Sequence, residues 1–254
     1  MTAATRATRR APFALRAIIT YTLRSCLPPK RLLAVVMACG GALLFGLLSY
    51  AIDQPASEAF ANVAAEGIFG LAVPMAALVI GDAVLGAEIR AGTFHFTWLS
   101  PVPTWQIVLG RWLAGSLVAA VTIAPASAAA ALVAGVGDHA VPAFIAAAAG
   151  SGAYVALFIA LGCITRRTAV WSLAIVFLLE RLLGAALTGI AQISPQWEAR
   201  AAYVGLLDDA PSRLVREGIP HGTAAIVRLA LLTVICGLVA NWRMRHLRLS
   251  GAAD

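Results

Sequence analysis

Few side chains in this sequence are equipped for chemistry, and the most unusual are two charges inside an apolar run. Glu180 and Arg181 fall near the middle of the stretch from Ala169 to Ile190. A charge at the centre of a bilayer costs about 2.5–3.5 kcal/mol on insertion scales. Adjacent residues on an ideal helix point about 100° apart, so these two do not face each other and each needs a partner elsewhere. They line a polar pathway, pair structurally with another segment, or, if the run breaks near Gly184, sit closer to the outer surface. Asp82 sits about one turn inside a second apolar run, and Arg111 lies just inside a third. Asp82 either pairs with Arg111 or simply reaches the membrane surface.

Catalysis needs convergent acids, bases, nucleophiles or metal ligands. His95, His139, His221 and His246 are scattered, and neither H-E-x-x-H nor G-x-S-x-G occurs. No G-x-x-x-x-G-K-[ST] is present, and Lys30 is the only lysine, so the chain carries no phosphate-cradling loop of its own. Cys26, Cys39, Cys163 and Cys236 lie in or beside apolar runs without metal-site or disulfide spacing and read as small packing residues.

The elements that hold these residues are long and apolar. Of 254 residues, 61% are hydrophobic and 12% charged, where a soluble domain carries about 25% charged residues. About 20 apolar residues cross the hydrocarbon core. Six runs qualify: Leu32–Ile52, Gly67–Leu85, Gln106–Val133, Val141–Ile164, Ala169–Ile190 and Ala224–Asn241. The chain therefore reads as one all-α polytopic membrane domain, residues 1–254, with kinks expected at Pro74 and Pro125. Its net charge of +7 sits at the ends of these runs and not on one soluble face, which argues against a nucleic-acid partner.

The arginines orient the spans. Residues 1–31 hold Arg6, Arg9, Arg10, Arg16, Arg24, Lys30 and Arg31 with no acid, while the first outer loop has Asp53, Glu58 and Glu66 with no base. Arg90 and Arg111 flank the second connection, Asp138 and His139 mark the third, Arg166 and Arg167 the fourth, and Arg243, Arg245 and Arg248 follow the last span. Both termini are expected in the cytosol of a multi-pass plasma-membrane protein. Trp105, Trp112, Trp171 and Trp242 cluster near the same expected boundary. Residues 191–223 carry mixed charge and are placed outside, with a half-inserted helix around Trp197 and Tyr203 as a lid candidate. The N-terminal segment is either an amphipathic helix along an anionic leaflet, with Arg9, Arg16, Thr20 and Arg24 on its polar stripe, or a basic tail that sets topology.

Residues 86–105 form the second connection, and its centre, "GTFHFTWLSPVP", is too apolar for an ordinary loop. Gly92 permits a turn, Thr93 is placed to cap a short helix, and Phe94, Phe96, Trp98 and Leu99 populate it until Pro101 and Pro103 end it. Such aromatics either insert into a groove on a partner or dip into lipid headgroups.

The stretch from Gly81 to Gly115 resembles the cytosolic segment of ABC-2 type permeases, the membrane subunits of ATP-binding-cassette exporters. Matching positions are Asp82, Glu88, Arg90, Gly92, Thr93, Ser100, Pro101, Leu109, Gly110 and Arg111. Arg111 stands where the family commonly has lysine, and an arginine often found after the proline is absent. The resemblance implies a coupling helix that docks on a separate P-loop ATPase subunit, and a complex of two permeases with two ATPases. ATP and magnesium would then be bound by the partner, and no cofactor by this chain. It implies an exporter permease of unidentified, amphiphilic cargo, and not an enzyme. The competing readings are a membrane-embedded enzyme and an ion-coupled secondary transporter.

Overall fold

A computed structural model describes residues 3–26, 28–93, 99, 102–165 and 167–246. All regular structure among them is helical. Helix α1 (Ala3–Cys26) precedes six helices long and apolar enough to cross a membrane: α2 (Pro29–Ala51), α3 (Ala56–Ile89), α4 (Thr104–Val133), α5 (Gly137–Ile164), α6 (Thr168–Ala186) and, last in the chain, α9 (Thr223–Arg245). Between α6 and α9 lie the single turn α7 (Thr188–Ala191) and the helix α8 (Pro195–Val204).

Each observed span contains or overlaps its expected run, and the largest difference is the start of α3. It begins at Ala56, not Gly67, so Glu58 and Glu66 ride on the helix instead of in a loop. The alanine-rich sequence from Ala56 to Ala65 favours helix, and both carboxylates stay exposed on its surface, so they do not interrupt it. At 1.5 Å per residue this 34-residue helix is roughly 50 Å long, so it outreaches the hydrocarbon core. Two stretches of α3, Ala64–Ala72 and Asp82–Gly86, wind as wider π-helical turns. Pro74 follows directly on the first. There a wider turn relaxes the clash between a proline ring and the preceding carbonyls. Pro125 is carried within α4, which runs on to Val133. In α6 a third π-helical stretch, Ile175–Leu183, holds Glu180 and Arg181 before the backbone turns extended at Leu187. The expected continuation to Ile190 is thereby cut short.

The core lies around α3 and α5, which are mostly buried, whereas α2, α6 and α9 leave most of their surface exposed. Helix α5 packs on α3, α4, α8 and α9. Its run of small residues, with Ala146, Ala147 and Gly150 to Ala153 buried, lets these neighbours come close. Leu15 and Ile18 of α1 lie on α4 at Gly110, where an added Cβ would stand 2.9 Å from Ile18 Cγ2. The apolar stripe of α1 therefore meets the bundle itself and not only a lipid surface, because the glycine opens a seat for it. Thr104 at the start of α4 bonds Asn241 and Arg245 at the end of α9. This end, shared by α1 and the close of α9, is called basal below; the opposite end is apical.

Candidate functional site

Two clusters of polar side chains stand out, one at each end. The basal cluster forms where α3 stops. Gly92 adopts φ +68°, a left-handed conformation that suits glycine. Its N–H donates to the Ile89 carbonyl at 3.2 Å, and the Thr93 N–H donates to the Glu88 carbonyl at 3.0 Å. This double closure satisfies carbonyls that a helix end would leave bare. Thr93 Oγ1 also donates back to the Glu88 carbonyl, at 3.4 Å. Sequence reading placed that hydroxyl at the start of the next helix. Because α3 persists to Arg90, the nearest acceptor is the helix just ended.

Glu88 turns its side chain inward. Arg111 Nη2 lies 2.6 Å from Glu88 Oε2, with the two side chains only 1% and 10% exposed. Arg111 Nη1 also donates to the Val84 carbonyl. Tyr21 of α1 hydrogen-bonds the same carboxylate; the nearby negative charge, then partial burial, raises its pKa and keeps its O–H as a donor. One carboxylate thus ties α1, α3 and α4 together. Asp82, half-buried, opens the π-helical turn just above.

The other stem of the connection is anchored too. Pro103 holds an extended backbone before α4. Thr104 Oγ1 donates to Asn241 Oδ1 at 2.7 Å and accepts from Arg245 Nε at 3.3 Å. Leu99, between the stems, is 69% exposed. Phe94, His95, Phe96, Trp98, Ser100 and Pro101 lie outside the described residues, as does the side chain of Arg90.

The apical cluster gathers around Glu180, which is fully buried. Tyr154 of α5 donates its hydroxyl to Oε2, Ser194 Oγ donates to Oε1 at 2.7 Å, and the Gln196 backbone N–H adds a third bond to the carboxylate. The Trp197 indole N–H donates to the Glu180 carbonyl at 3.0 Å. Ser194 also caps α8, accepting from the Trp197 N–H at 3.4 Å, and Pro195 supplies the first helical residue. The carboxylate therefore sits at the positive end of α8, among donors aimed at it.

Arg181, 39% exposed, points elsewhere. Its Nη2 lies 3.8 Å from Glu66 Oε2, and Arg200 Nη1 lies 2.6 Å from Glu66 Oε1. The guanidinium carbons of Arg200 and Arg216 stand 5.0 and 4.5 Å from the Trp197 ring centroid. Arg216 also donates to the carbonyls of Gly184 and Ala185, where α6 ends. Glu198, 2% exposed at its side chain, meets Arg228 of α9 at 3.3 Å. Burial raises the Glu198 carboxyl above its usual range, and Arg228 only partly opposes this.

Helix α8 was expected as a half-inserted lid, yet it is buried almost throughout, from Pro195 to Val204 apart from Trp197 and Arg200. Tyr203 bonds His139 Nδ1 at 2.7 Å and packs on Phe69. An added Cβ on Gly205 would lie 2.0 Å from the Gly222 nitrogen, so the end of α8 and the start of α9 cross backbone to backbone.

Sequence reading singled out Glu88, Arg111, Glu180 and Arg181, and named Trp197 only as part of a lid, but missed Tyr21, Tyr154 and Ser194, which complete their surroundings. The Ser194-Pro195 pair was the available signal, since it marks a helix start. Chemically, both clusters are joints: each ties neighbouring helices together through charge pairs and hydrogen bonds. No group of three or more potential metal ligands occurs among the described residues. No family model matches this sequence, and no curated protein matches it.

Proposed function

We propose that this chain is the permease subunit of an ATP-driven exporter of the ABC-2 type, which moves an amphiphilic substrate across the plasma membrane. The observation that carries this reading is the anchoring of the connection between α3 and α4. Its first stem is closed at Gly92 and braced by the buried Glu88–Arg111 pair, and its second is tied through Thr104 to the end of α9. A short apolar segment between two fixed stems transmits a push as movement of the helices, where a slack loop would absorb it. In this reading Phe94, Phe96, Trp98 and Leu99 seat in a groove of a P-loop ATPase, which holds ATP and magnesium, and Pro101 ends the docking segment.

The exposed cations at the basal end, Arg24, Lys30 and Arg245, support a cytosolic position for that end by the charge rule for short connections. A second permease copy completes the complex. The apical node, with Glu180, Arg181 and the buried α8, then lies toward the outer surface, where substrate leaves.

Purification of the tagged chain from native membranes tests the proposal. A P-loop ATPase is expected to co-elute with nucleotide turnover, and Phe96→Glu and Trp98→Glu to release it while the permease melts as before. Normal binding and stimulation of that ATPase by both variants would overturn the docking role.

A further inference from the structure

A cavity of about 270 Å³ opens sideways near the basal end, where the close of α1 meets α2, α3 and α4. Leu23, Val35, Ile80, Leu117 and Val121 line it, and the single charged side chain at its edge is Arg31. Its one hydroxyl, on Thr122, is already donated to the Val118 carbonyl at 2.7 Å. Apart from Arg31 at the edge, the only other polar group in this wall is the weakly polar Cys26 thiol, and such a wall favours hydrocarbon over water. Whole-ligand pockets span roughly 300–1,000 Å³, so this one takes part of a long apolar molecule whose remainder extends outward.

The cation at the mouth decides what kind of molecule. Arg31 Nη1 donates to the Ser25 carbonyl at 2.5 Å, and Arg31 has no carboxylate partner among the described residues. Arg24 and Lys30 are exposed on the same corner, and no acidic residue occurs before Asp53. The corner is therefore a surplus of positive charge beside an apolar slot. A second copy of this chain is poorly suited to fill it, because its exposed carboxylates Asp53, Asp138, Asp208, Asp209 and Glu217 sit in connections at the opposite, apical end, and Glu88 and Glu180 are already bonded within the bundle. Arg31 also lies in the first turn of α2, the level at which a long basic side chain reaches headgroups.

We infer that this corner is a binding site for an anionic phospholipid, with the phosphate at Arg31 and one acyl chain in the slot between α2 and α4. The lipid wedges between α1 and the bundle and fixes the angle of α1, which holds Tyr21 on Glu88. The inference depends on membrane embedding and not on the identity of the transported substrate.

The test reconstitutes the full chain in bilayers of equal phosphatidylglycerol and phosphatidylcholine with matched acyl chains. Lipids retained after gentle extraction are then counted by native mass spectrometry. One phosphatidylglycerol is expected in preference to phosphatidylcholine. Arg31→Gln should lower that preference about fivefold, the weight of one basic residue near an anionic surface. Val118→Trp, which fills the slot, should remove the retained lipid, and Val234→Trp on the far groove between α4 and α9 should leave it. Equal retention of the two lipids by the wild type, or an unchanged ratio in a folded Arg31→Gln, overturns the site. So does loss of a second protein copy instead of lipid in Val118→Trp. Should Arg31→Gln fail to fold, phosphatidylglycerol retained by folded Val118→Trp overturns it alone.

Discussion

Replacing Arg111 with methionine strands a carboxylate. Glu88 would keep only the Tyr21 hydroxyl, in a site where its side chain is 10% exposed. Removing one member of a buried ion pair costs about 3–5 kcal/mol, because the remaining charge stays desolvated. Glu88→Met leaves the mirror-image defect, a guanidinium 1% exposed with the Val84 carbonyl still beside it, and a loss of similar size follows. The double variant removes both charges; the exposed Tyr21 hydroxyl turns to water, and the Val84 carbonyl loses its guanidinium donor, about 1–2 kcal/mol. The pair of substitutions should therefore be more stable than either alone. Denaturant unfolding in mixed micelles, followed by tryptophan fluorescence, reads all four corners of the cycle. A 3 kcal/mol loss is about a hundredfold in the unfolding constant. Single losses below about 1 kcal/mol, the level of an exposed pair, would refute the argument. A double variant as weak as the sum of the singles would refute it equally.

Other outcomes follow from the apical end. Tyr154→Phe removes a hydroxyl from the buried Glu180 carboxylate and should cost about 1–3 kcal/mol in the same unfolding assay. Gly205→Ala forces a Cβ to within 2.0 Å of the Gly222 nitrogen and should abolish folded expression, while Gly189→Ala, with no neighbour inside 4 Å, should express as wild type; size-exclusion profiles separate the two. Because the folded pKa of Glu198 is raised, its contribution is fully present below its unfolded value of about 4.5 and is lost as pH rises through the folded value. Wild type should accordingly gain stability relative to Glu198→Gln as pH falls from neutral toward 4.5, and parallel stability curves would contradict this.

How far the fold could be read from the sequence differs between elements. The six spans were plain, since some 20 consecutive apolar residues have few other uses. The start of α3 was not, because Glu58 and Glu66 look like loop residues until the helix is seen to carry them on an exposed face. Arg200 and Arg181 then converge on Glu66 from sequence positions more than a hundred residues away. Helix α8 was misjudged for a related reason: "PQWEARAAYV" looks amphipathic and polar, yet most of it is buried and both its charges pair with residues of other helices. Composition records the cost of burying Glu198 but not the Arg228 that offsets it. The charges in α6 announced that each needed a partner without naming it, since Tyr154 and Ser194 become neighbours of Glu180 only through packing. At the basal end the residue types were visible and the closure was not. Gly92 and Thr93 fit either the end of one helix or the start of another, and only the length of α3 decides between them.

The central claim is that the segment between α3 and α4 lies in the cytosol and docks a nucleotide-hydrolysing subunit. It is tested most directly by placing one cysteine at Leu99 in a chain whose four native cysteines are replaced, then adding a membrane-impermeant maleimide. Labelling is expected in inside-out vesicles only, and bound ATPase should suppress it. Labelling in right-side-out vesicles, or labelling indifferent to the ATPase, would contradict the account.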